Sequence, residues 1–342
     1  PLIIADINSD ADVARFNITN NTLNDFLAVA RSKYGVANTQ QFGSFAKKRG
    51  TDAGFLRLDW QINDKNLLTI RDNYTNDRNP LGLGDNTAIN FYESYGNDKN
   101  VDNSLLATLR STISSKVTNE LKLQHLYTYQ ASTQNDELGF AIPRAVVSNL
   151  ESISPTTGAT LATAVQIGGH RFGQEGFTNN VFQLVDNFYY NTDKIKYTFG
   201  VDIMYTHAKS LYGSEVNGRF TFNTSGTAAA GNRQTALQNF NNLIPISYYR
   251  EVPLVDDPTV IGNLWNTAVY GQMQTKLGKG LDFTGGLRLD FSKYPTSPLN
   301  QQLFDAIGVR TDHKLKQFLI QPRIQFNWDV NEKHTDYVRL GA

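Results

Sequence analysis

The sequence contains no cysteine, and its 342 residues carry 32 basic and 32 acidic side chains, so that the formal net charge is zero. The absence of cysteine excludes a disulfide scaffold and a cysteine-ligated zinc site. Because the charges balance, the composition offers no basic surface for a nucleic acid. The sequence also lacks any run near the roughly 18 consecutive apolar residues that a membrane-spanning helix needs, which excludes a helical membrane protein.

The N-terminal residues lack both an initiator methionine and the basic region and long apolar run of a signal peptide. We therefore expect that the chain begins inside a longer precursor. Aromatic residues make up 11% of the chain, which is too much for a disordered protein.

A two-residue alternation of apolar and polar side chains dominates the sequence, and this period is typical of β-strands. It is clearest at 195–206, 265–277, 281–292 and 318–329, where no charge falls on the apolar face. Weaker alternation occupies six further segments, namely 54–62, 67–76, 103–114, 119–132, 179–191 and 335–341. The pattern predicts an all-β protein with ten antiparallel strands.

The connections between these strands alternate in length. Five are tight polar turns, and four are long segments at about 77–102, 133–178, 207–263 and 293–316. Short turns at one end and long loops at the other are typical of outer-membrane β-barrels. Small helices are predicted within the long segments, one from a capping box at Thr22 to Gly35 and one from Ser297 to Gly308.

Alternation alone does not decide which side of a barrel the apolar face occupies. The polar face carries eight charged residues, and burying them in a packed core would cost several kcal/mol each unless all were paired. The charges lie at Lys196, Asp202, Lys276, Asp282, Arg288, Asp290, Arg323 and Asp329. Since a water-filled or plugged lumen removes this cost, we expect the apolar face to meet lipid. The alternative is a soluble β-sandwich with long loops.

Four segments carry a family resemblance. Gln321–Asp329 resembles the Pro-Arg strand motif of TonB-dependent receptors, and Thr335–Ala342 looks like the strand that follows it. Thr51–Ile62 and Leu67–Tyr74 resemble a hairpin of the Oar-like group of these receptors. The resemblance implies a 22-stranded transmembrane barrel with an N-terminal plug, located in the outer membrane of a Gram-negative bacterium. It implies energised uptake, or less readily export, of an unidentified substrate.

The same resemblance implies partners. These are the lipid of the outer membrane, the TonB complex acting through the plug, the substrate, and a surface lipoprotein. The chain departs from the family pattern in its ten strands and in the lack of a plug and a TonB box. We therefore expect a central barrel segment, in which residues 1–50 form an extracellular loop segment with a short helix and residues 51–342 form barrel hairpins. Closure of ten strands by themselves is the alternative.

An acidic segment near the N-terminus has the spacing of a calcium loop. The oxygen-bearing side chains of Asp6, Asn8, Asp10 and Asp12 occupy positions one, three, five and seven of an EF-hand-like loop. Ala11 replaces the usual glycine, and Asn17 stands where a bidentate glutamate is expected. We expect either a Ca²⁺ ion that orders a surface loop or a solvated acidic turn.

Two aromatic clusters in the long loops are candidate ligand contacts, because Tyr and Arg provide large contact areas at modest entropic cost. They could equally pack the loops against one another. The first cluster comprises Phe91, Tyr92 and Tyr95, and the second comprises Tyr248, Tyr249 and Arg250.

The sequence contains no HExxH pattern, no nucleophile elbow and no phosphate-binding loop, so we expect no enzyme activity. One alternative is a ten-stranded hydrolase of the omptin type that uses His207 with Asp202, or His313 with Asp312. A second is a soluble adhesin-like binding domain.

Overall fold

The structure, a computed structural model, describes residues 1–138, 142–253 and 256–342. The helices within these ranges are α1 (Asp10–Phe16), α2 (Asn20–Tyr34), α3 (Ala236–Asn241) and α4 (Gln301–Ile307). The strands are β1 (Leu2–Ile4), β2 (Gly43–Phe45), β3 (Gly50–Asn63), β4 (Asn66–Leu83), β5 (Ile89–Asn90), β6 (Gly96–Ser114), β7 (Val117–Thr133), β8 (Arg144–Ile153), β9 (Thr160–Gly168), β10 (Gln174–Asn191), β11 (Ile195–Leu211), β12 (Arg219–Phe222), β13 (Ser247–Tyr249), β14 (Val260–Gly278), β15 (Leu281–Lys293), β16 (Lys316–Asp329) and β17 (Tyr337–Gly341). Over the described ranges, every helix is too short or too polar to cross a membrane.

The ten predicted strands are confirmed, and they form one antiparallel sheet in the order β17-β16-β15-β14-β11-β10-β7-β6-β4-β3. Most of them extend further toward the long loops than the alternation predicts. Polar residues explain the difference at β6, which begins at Gly96 and runs through Asn97, Asp98 and Lys99 before the apolar period starts. Within the described residues, β3 and β17 each pair on one side, so the sheet does not close on itself.

The register places the apolar series of successive strands on the same side of the sheet. Val201 of β11 lies opposite Val269 of β14, which lies opposite Leu289 of β15, and Leu289 lies opposite Ile320 of β16. These side chains are not covered by other described residues: Val269 is 46% exposed and Ile320 is 60% exposed. An apolar sheet side that the described chain leaves uncovered is what a lipid-facing barrel wall requires.

Besides Asp52, which pairs with Arg78 near the loop end of β3, two carboxylates interrupt the apolar side on the strands before β11. Asp72 accepts a hydrogen bond from the amide of Asn103 at 2.9 Å, and Asp186 accepts one from the amide of Asn119 at 2.6 Å. His125 shares this side and stacks on Phe182, with ring centroids 4.5 Å apart. The cross-strand amides therefore supply hydrogen bonds that each carboxylate would otherwise lack beside apolar neighbours.

The opposite side of the sheet carries the charges. Arg288 of β15 lies between two acids, at 3.3 Å from Asp202 and 2.9 Å from Asp290. Its guanidinium also lies over the ring of Tyr270, 5.3 Å from the centroid. This side of the sheet is thus hydrogen-bonded and ionic, which suits a hydrated lumen better than a packed core.

The long connections fold into a second unit, which we call the loop domain. It consists of the described residues of 1–45, 84–95, 134–173 and 212–253, and it lies at the end of the sheet from which these connections leave. A five-stranded sheet in the order β13-β12-β8-β9-β5 and the pair β1-β2 form its β-structure. Phe26 of α2 packs at its centre, stacked on Phe91 at 5.2 Å and on Phe240 at 4.9 Å. The sequence did not predict this domain.

The predicted helices are present, but their starts are different. The capping box predicted at Thr22 is wrong, because α2 begins after Thr19, whose side chain accepts the N–H of Thr22. Its end at Gly35 is confirmed, with φ at 71°. The start predicted at Ser297 is also wrong, because Asn300 caps α4 by accepting the N–H of Leu303, and the end at Gly308 is confirmed.

Candidate functional site in the loop domain

A buried ionic network joins three of the long connections. Arg144, at the start of β8, donates to Asp85 at 2.6 Å and to Gln166 at 2.7 Å, and it also donates to Glu215. The side chains of Arg144, Asp85 and Glu215 are each only 4% exposed. Burial alone would raise the pKa of Asp85, but hydrogen bonds from Thr87 and Arg144 outweigh it and lower that pKa. The charge of Arg144 is therefore balanced by two buried acids, and the role of the side chain is structural.

A cavity of about 590 Å³ lies beside this network, between the C-terminal end of α2 and strands β8, β9 and β12. Its walls are mainly apolar and include Tyr34, Val36, Ile142, Ile167, Phe222 and Leu243. Ligand sites of this size and composition hold small organic molecules.

Glu93 places a carboxylate in the wall of this cavity although the residue is only 5% exposed. One carboxylate oxygen accepts the N–H of Gly168 at 3.2 Å, and the other lies 3.5 Å from the side-chain amide of Gln41. Burial raises the pKa of Glu93, the Gly168 hydrogen bond opposes this shift, and the like charge of Glu137 adds to it. The ionised form of Glu93 is therefore unfavourable at this position, at the edge of the cavity.

Tyr34 supplies a hydroxyl group that stays neutral. It donates to the carbonyl oxygen of Phe240 at 2.5 Å, and its ring stacks on that of Phe240 with centroids 4.3 Å apart. Burial raises the pKa of Tyr34 to about 12. The cavity therefore combines apolar walls with an acid, an arrangement that can bind and orient a ligand.

The first predicted aromatic cluster contributes mainly to packing. Phe91 is fully buried and stacks on Phe26, so it presents no surface to a ligand. Tyr92 stacks on Phe45 at 4.8 Å and donates its hydroxyl to Glu137 at 3.3 Å, which places it beside the cavity. Burial raises the pKa of Tyr95.

The second predicted cluster lies at the edge strand β13. Tyr248 and Tyr249 are 53% and 45% exposed. Tyr248 packs on Phe220, which lines the cavity, with centroids 4.7 Å apart. Arg250 donates to the carbonyl of Val216 at 2.8 Å. Ligand contact by these residues stays a prediction, and their position next to the cavity is compatible with it.

The predicted calcium residues lie at the start of a helix. Asp10 and Asp12 belong to the first turn of α1, and Ser9 caps this turn by accepting the N–H of Asp12. Asp12 accepts from the Ser9 hydroxyl at 2.7 Å and from the Asn8 N–H at 3.1 Å, and Asp6 accepts from the Asn8 amide at 3.0 Å. The described residues contain no group of three or more acids and histidines arranged to hold a metal, so the calcium loop has no support.

The histidine–acid pairs of the hydrolase alternative do not form. Asp202 and His207 are five residues apart on one strand, so they point to opposite sides of the sheet. His207 lies 2.8 Å from Asn263, whereas Asp202 pairs with Arg288. Asp312 is held by Arg310 at 2.6 Å.

Glu93, Arg144 and the cavity itself were missed by the sequence analysis. A local signal existed in the run Arg144 to Val147, where one charge precedes apolar residues. Nothing local marks Glu93, because its burial depends on residues 1–45 and on β9.

Comparisons with known proteins agree with the fold. A family described as an outer membrane beta barrel domain matches residues 8–341. No curated protein matches the sequence. The outer membrane transporter YddB from Escherichia coli is similar in structure, with a TM-score of 0.52 and 11% identity over 87% of this chain and 32% of that chain.

Two further structures are similar at lower TM-scores. They are the FrpB iron transporter from Neisseria meningitidis, F3-3 variant (0.49; 11% identity; 86% of this chain and 37% of that chain), and the copper transporter OprC (0.47; 11% identity; 90% of this chain and 37% of that chain). The chain thus spans about a third of the length of the structures that it resembles.

Proposed function

Since the chain belongs to the family of outer membrane beta barrel domains, we propose that it forms part of a barrel that moves a substrate across the outer membrane, and that the loop domain captures this substrate. The observation that carries the proposal is the two-sided sheet. One side is apolar and uncovered within the described residues, the other is ionic, and a domain with a cavity lies at the end where the long connections leave. In this proposal the apolar side is the wall that meets lipid, the ionic side lines the passage, and the domain with the cavity is the capture site.

The energy source and direction are part of the proposal. The Pro-Arg motif at Gln321–Asp329 and the hairpin at Thr51–Tyr74 favour an Oar-like TonB-dependent receptor, and the likeness to YddB supports a barrel of that fold. We infer energised uptake, with the plug and the remaining strands supplied by other parts of a longer protein. Residues 1–50 would then lie on the extracellular side, where a surface lipoprotein could meet the exposed edge of β13.

Transport is a better explanation than catalysis. The similar structures are those of transporters, and the described sheet does not close into a ten-stranded barrel of the omptin type. The histidine–acid pairs that a hydrolase would use are separated or engaged elsewhere.

The proposal is tested by measuring which compounds disappear from the medium of cells that express the whole receptor, of a deletion strain, and of expressing cells treated with a protonophore. We expect at least one compound whose depletion requires both the receptor and an energised inner membrane. Equal depletion in the deletion strain, or depletion that a protonophore does not affect, would contradict the proposal.

A matched pair of variants tests the capture role. Ala37 is exposed and lines the cavity, whereas Ala229 is exposed in the same domain and does not line it. Ala37→Trp is expected to reduce depletion at low substrate concentration at least fivefold, and Ala229→Trp is expected to leave it unchanged. The same effect from both variants would contradict a capture role for the cavity.

A further inference from the structure

We propose that the cavity of the loop domain binds an apolar ligand that carries a positively charged amine, with Glu93 as its counter-ion. This inference rests on the proposed capture role of the loop domain, and it assigns a chemical class to what is captured.

Glu93 differs from the other buried acids of the described residues in lacking an ion pair. Among the described residues five acidic side chains are buried. Three of them pair with arginine, namely Asp77 with Arg49, Asp85 with Arg144, and Glu215 with Arg144 and Arg219. A fourth, Asp329, lies 2.7 Å from His334, which is charged only when it is protonated. Glu93 differs, since no ion pair reaches it within the part of the chain that the structure describes. A buried charge without a partner is strongly unfavourable, so a cation that enters the cavity would supply the partner that the Glu93 carboxylate lacks.

The carboxylate of Glu93 can accept more hydrogen bonds than it receives. An ionised carboxylate has about four acceptor positions. Gly168 occupies one at 3.2 Å, and Gln41 approaches a second at 3.5 Å. Glu93 lines the cavity, so the remaining positions are available to a donor that lies in it. An ammonium group has three N–H donors and matches this need.

The charged side chains that line the cavity favour a cation over an anion. Glu137 also lines the cavity and raises the pKa of Glu93, so two like charges act on the same space. Arg144 is the basic residue among the described lining residues, and Asp85 and Glu215 hold its guanidinium. An anionic ligand would therefore meet repulsion, whereas a cation would meet attraction.

The walls of the cavity are mainly apolar. Val36, Ile167 and Phe222 provide apolar contact, and the volume of about 590 Å³ fits a molecule larger than a simple amine. Burial of apolar ligand surface contributes about 25 cal/mol per Å². The ligand should therefore pair an apolar body with the charged group.

Isothermal titration of the intact receptor at pH 8 with three probes that share a phenylethyl body tests the inference. The probes are 2-phenylethylamine, 2-phenylethanol and 3-phenylpropionate. We expect the amine to bind at least tenfold more tightly than the alcohol, and the propionate to bind more weakly than either. Equal binding of amine and alcohol by the unaltered receptor would overturn the inference and requires no variant.

Glu93→Gln keeps an oxygen for the Gly168 N–H and removes the charge. We expect the preference for the amine over the alcohol to fall below about twofold. Glu251→Gln, which neutralises a loop-domain acid outside the cavity lining, should keep the preference. An unchanged preference in the Glu93 variant would overturn the assignment.

Failure of the inference and failure of the proposed function are distinguishable. Energised depletion without an amine preference would remove the ligand class and leave the transport function. An amine preference without energised depletion would remove the transport function and leave the ligand class.

Discussion

Arg144 and Asp85 form an ion pair of 2.6 Å although their side chains are each only 4% exposed. Asp85 follows β4, and Arg144 begins β8, which lies in the next long connection of the barrel. Glu215 adds the connection after β11 to the same guanidinium. The loop domain is therefore held together by charge at its junctions as well as by its apolar core around Phe26.

Replacing Arg144 with Met is expected to lower the free energy of unfolding of the loop domain by about 3–5 kcal/mol, because it removes the buried partner of two buried carboxylates. Asp85 would keep only Arg171 at 3.7 Å and Glu215 only Arg219 at 3.3 Å, and both of these arginines are about one-third exposed. Hydrogen exchange of the loop domain and denaturant titration would measure the loss. Arg233→Met is the control, since its pair with Glu151 is more exposed and exposed pairs contribute about 0–1 kcal/mol. Equal losses in the two variants would contradict this assignment.

His170 is expected to destabilise the loop domain in acid. Burial, with a further effect of the Arg144 charge, lowers the pKa of His170 to about 4 from the ordinary 6.5. The folded state then binds fewer protons than the unfolded state between these values, so stability falls as pH drops through this window, by about 3 kcal/mol. His170→Gln should flatten the pH dependence of the loop-domain melting temperature between pH 7 and pH 4. An unchanged pH dependence of the melting temperature in this variant would contradict the role of His170.

Glu93 is expected to have the opposite effect of pH. Burial raises its pKa, so the folded state binds more protons than the unfolded state above pH 4.5. Its unfavourable contribution is therefore largest at neutral pH and is relieved as pH falls through the raised pKa. Glu93→Gln should raise the melting temperature of the loop domain at pH 8 and have little effect at pH 4. A uniform effect at both values would indicate a packing change instead.

Ile324 and Gln325 test which side of the sheet faces lipid. They are adjacent on β16 and point to opposite sides, and Ile324 is 50% exposed. Ile324→Arg should destabilise the barrel by about 2–4 kcal/mol in lipid vesicles, whereas Gln325→Arg should be tolerated. Refolding yield and the heat-induced shift in electrophoretic mobility provide the measurement. The reverse order of the two variants would place the apolar side in the lumen.

The Asp6–Asp12 segment is expected to act as a helix start. Ser9→Ala should cost about 1 kcal/mol of loop-domain stability by removing the N-cap of α1. Titration with Ca²⁺ up to millimolar concentration should produce no heat and no shift in melting temperature. A stabilisation by Ca²⁺ that is lost in Asp12→Asn would instead establish the calcium loop.

The parts that the sequence analysis found are those with a local signal. The alternation at 195–206 reports which side of the sheet each residue occupies, so the strands and the two sides of the sheet followed from patterns of this kind. Residues 1–45 carry no comparable period, and their packing on β8 and α3 depends on contacts far apart in sequence. Glu93 was not predicted for the same reason, because its burial depends on residues 1–45 and on β9.

Some residue types also have two uses. Asp, Asn and Ser oxygens can bind a cation or cap a helix, and the spacing in Asp6–Asp12 does not separate these uses. Asp202 and His207 looked like neighbours because they are close in sequence. Their odd separation places them on opposite sides of a strand, which the two-residue period could have revealed.

The segments of the loop domain alternate along the chain with the strand pairs β3-β4, β6-β7 and β10-β11. We therefore expect the domain to assemble after these hairpins have paired, because their pairing brings Asp85, Arg144 and Glu215 within reach of one another. Its contacts span long stretches of sequence, which makes them slow to form. We therefore expect the loop domain to fold after the sheet, and its protection from proteolysis to report that the sheet beneath it is complete.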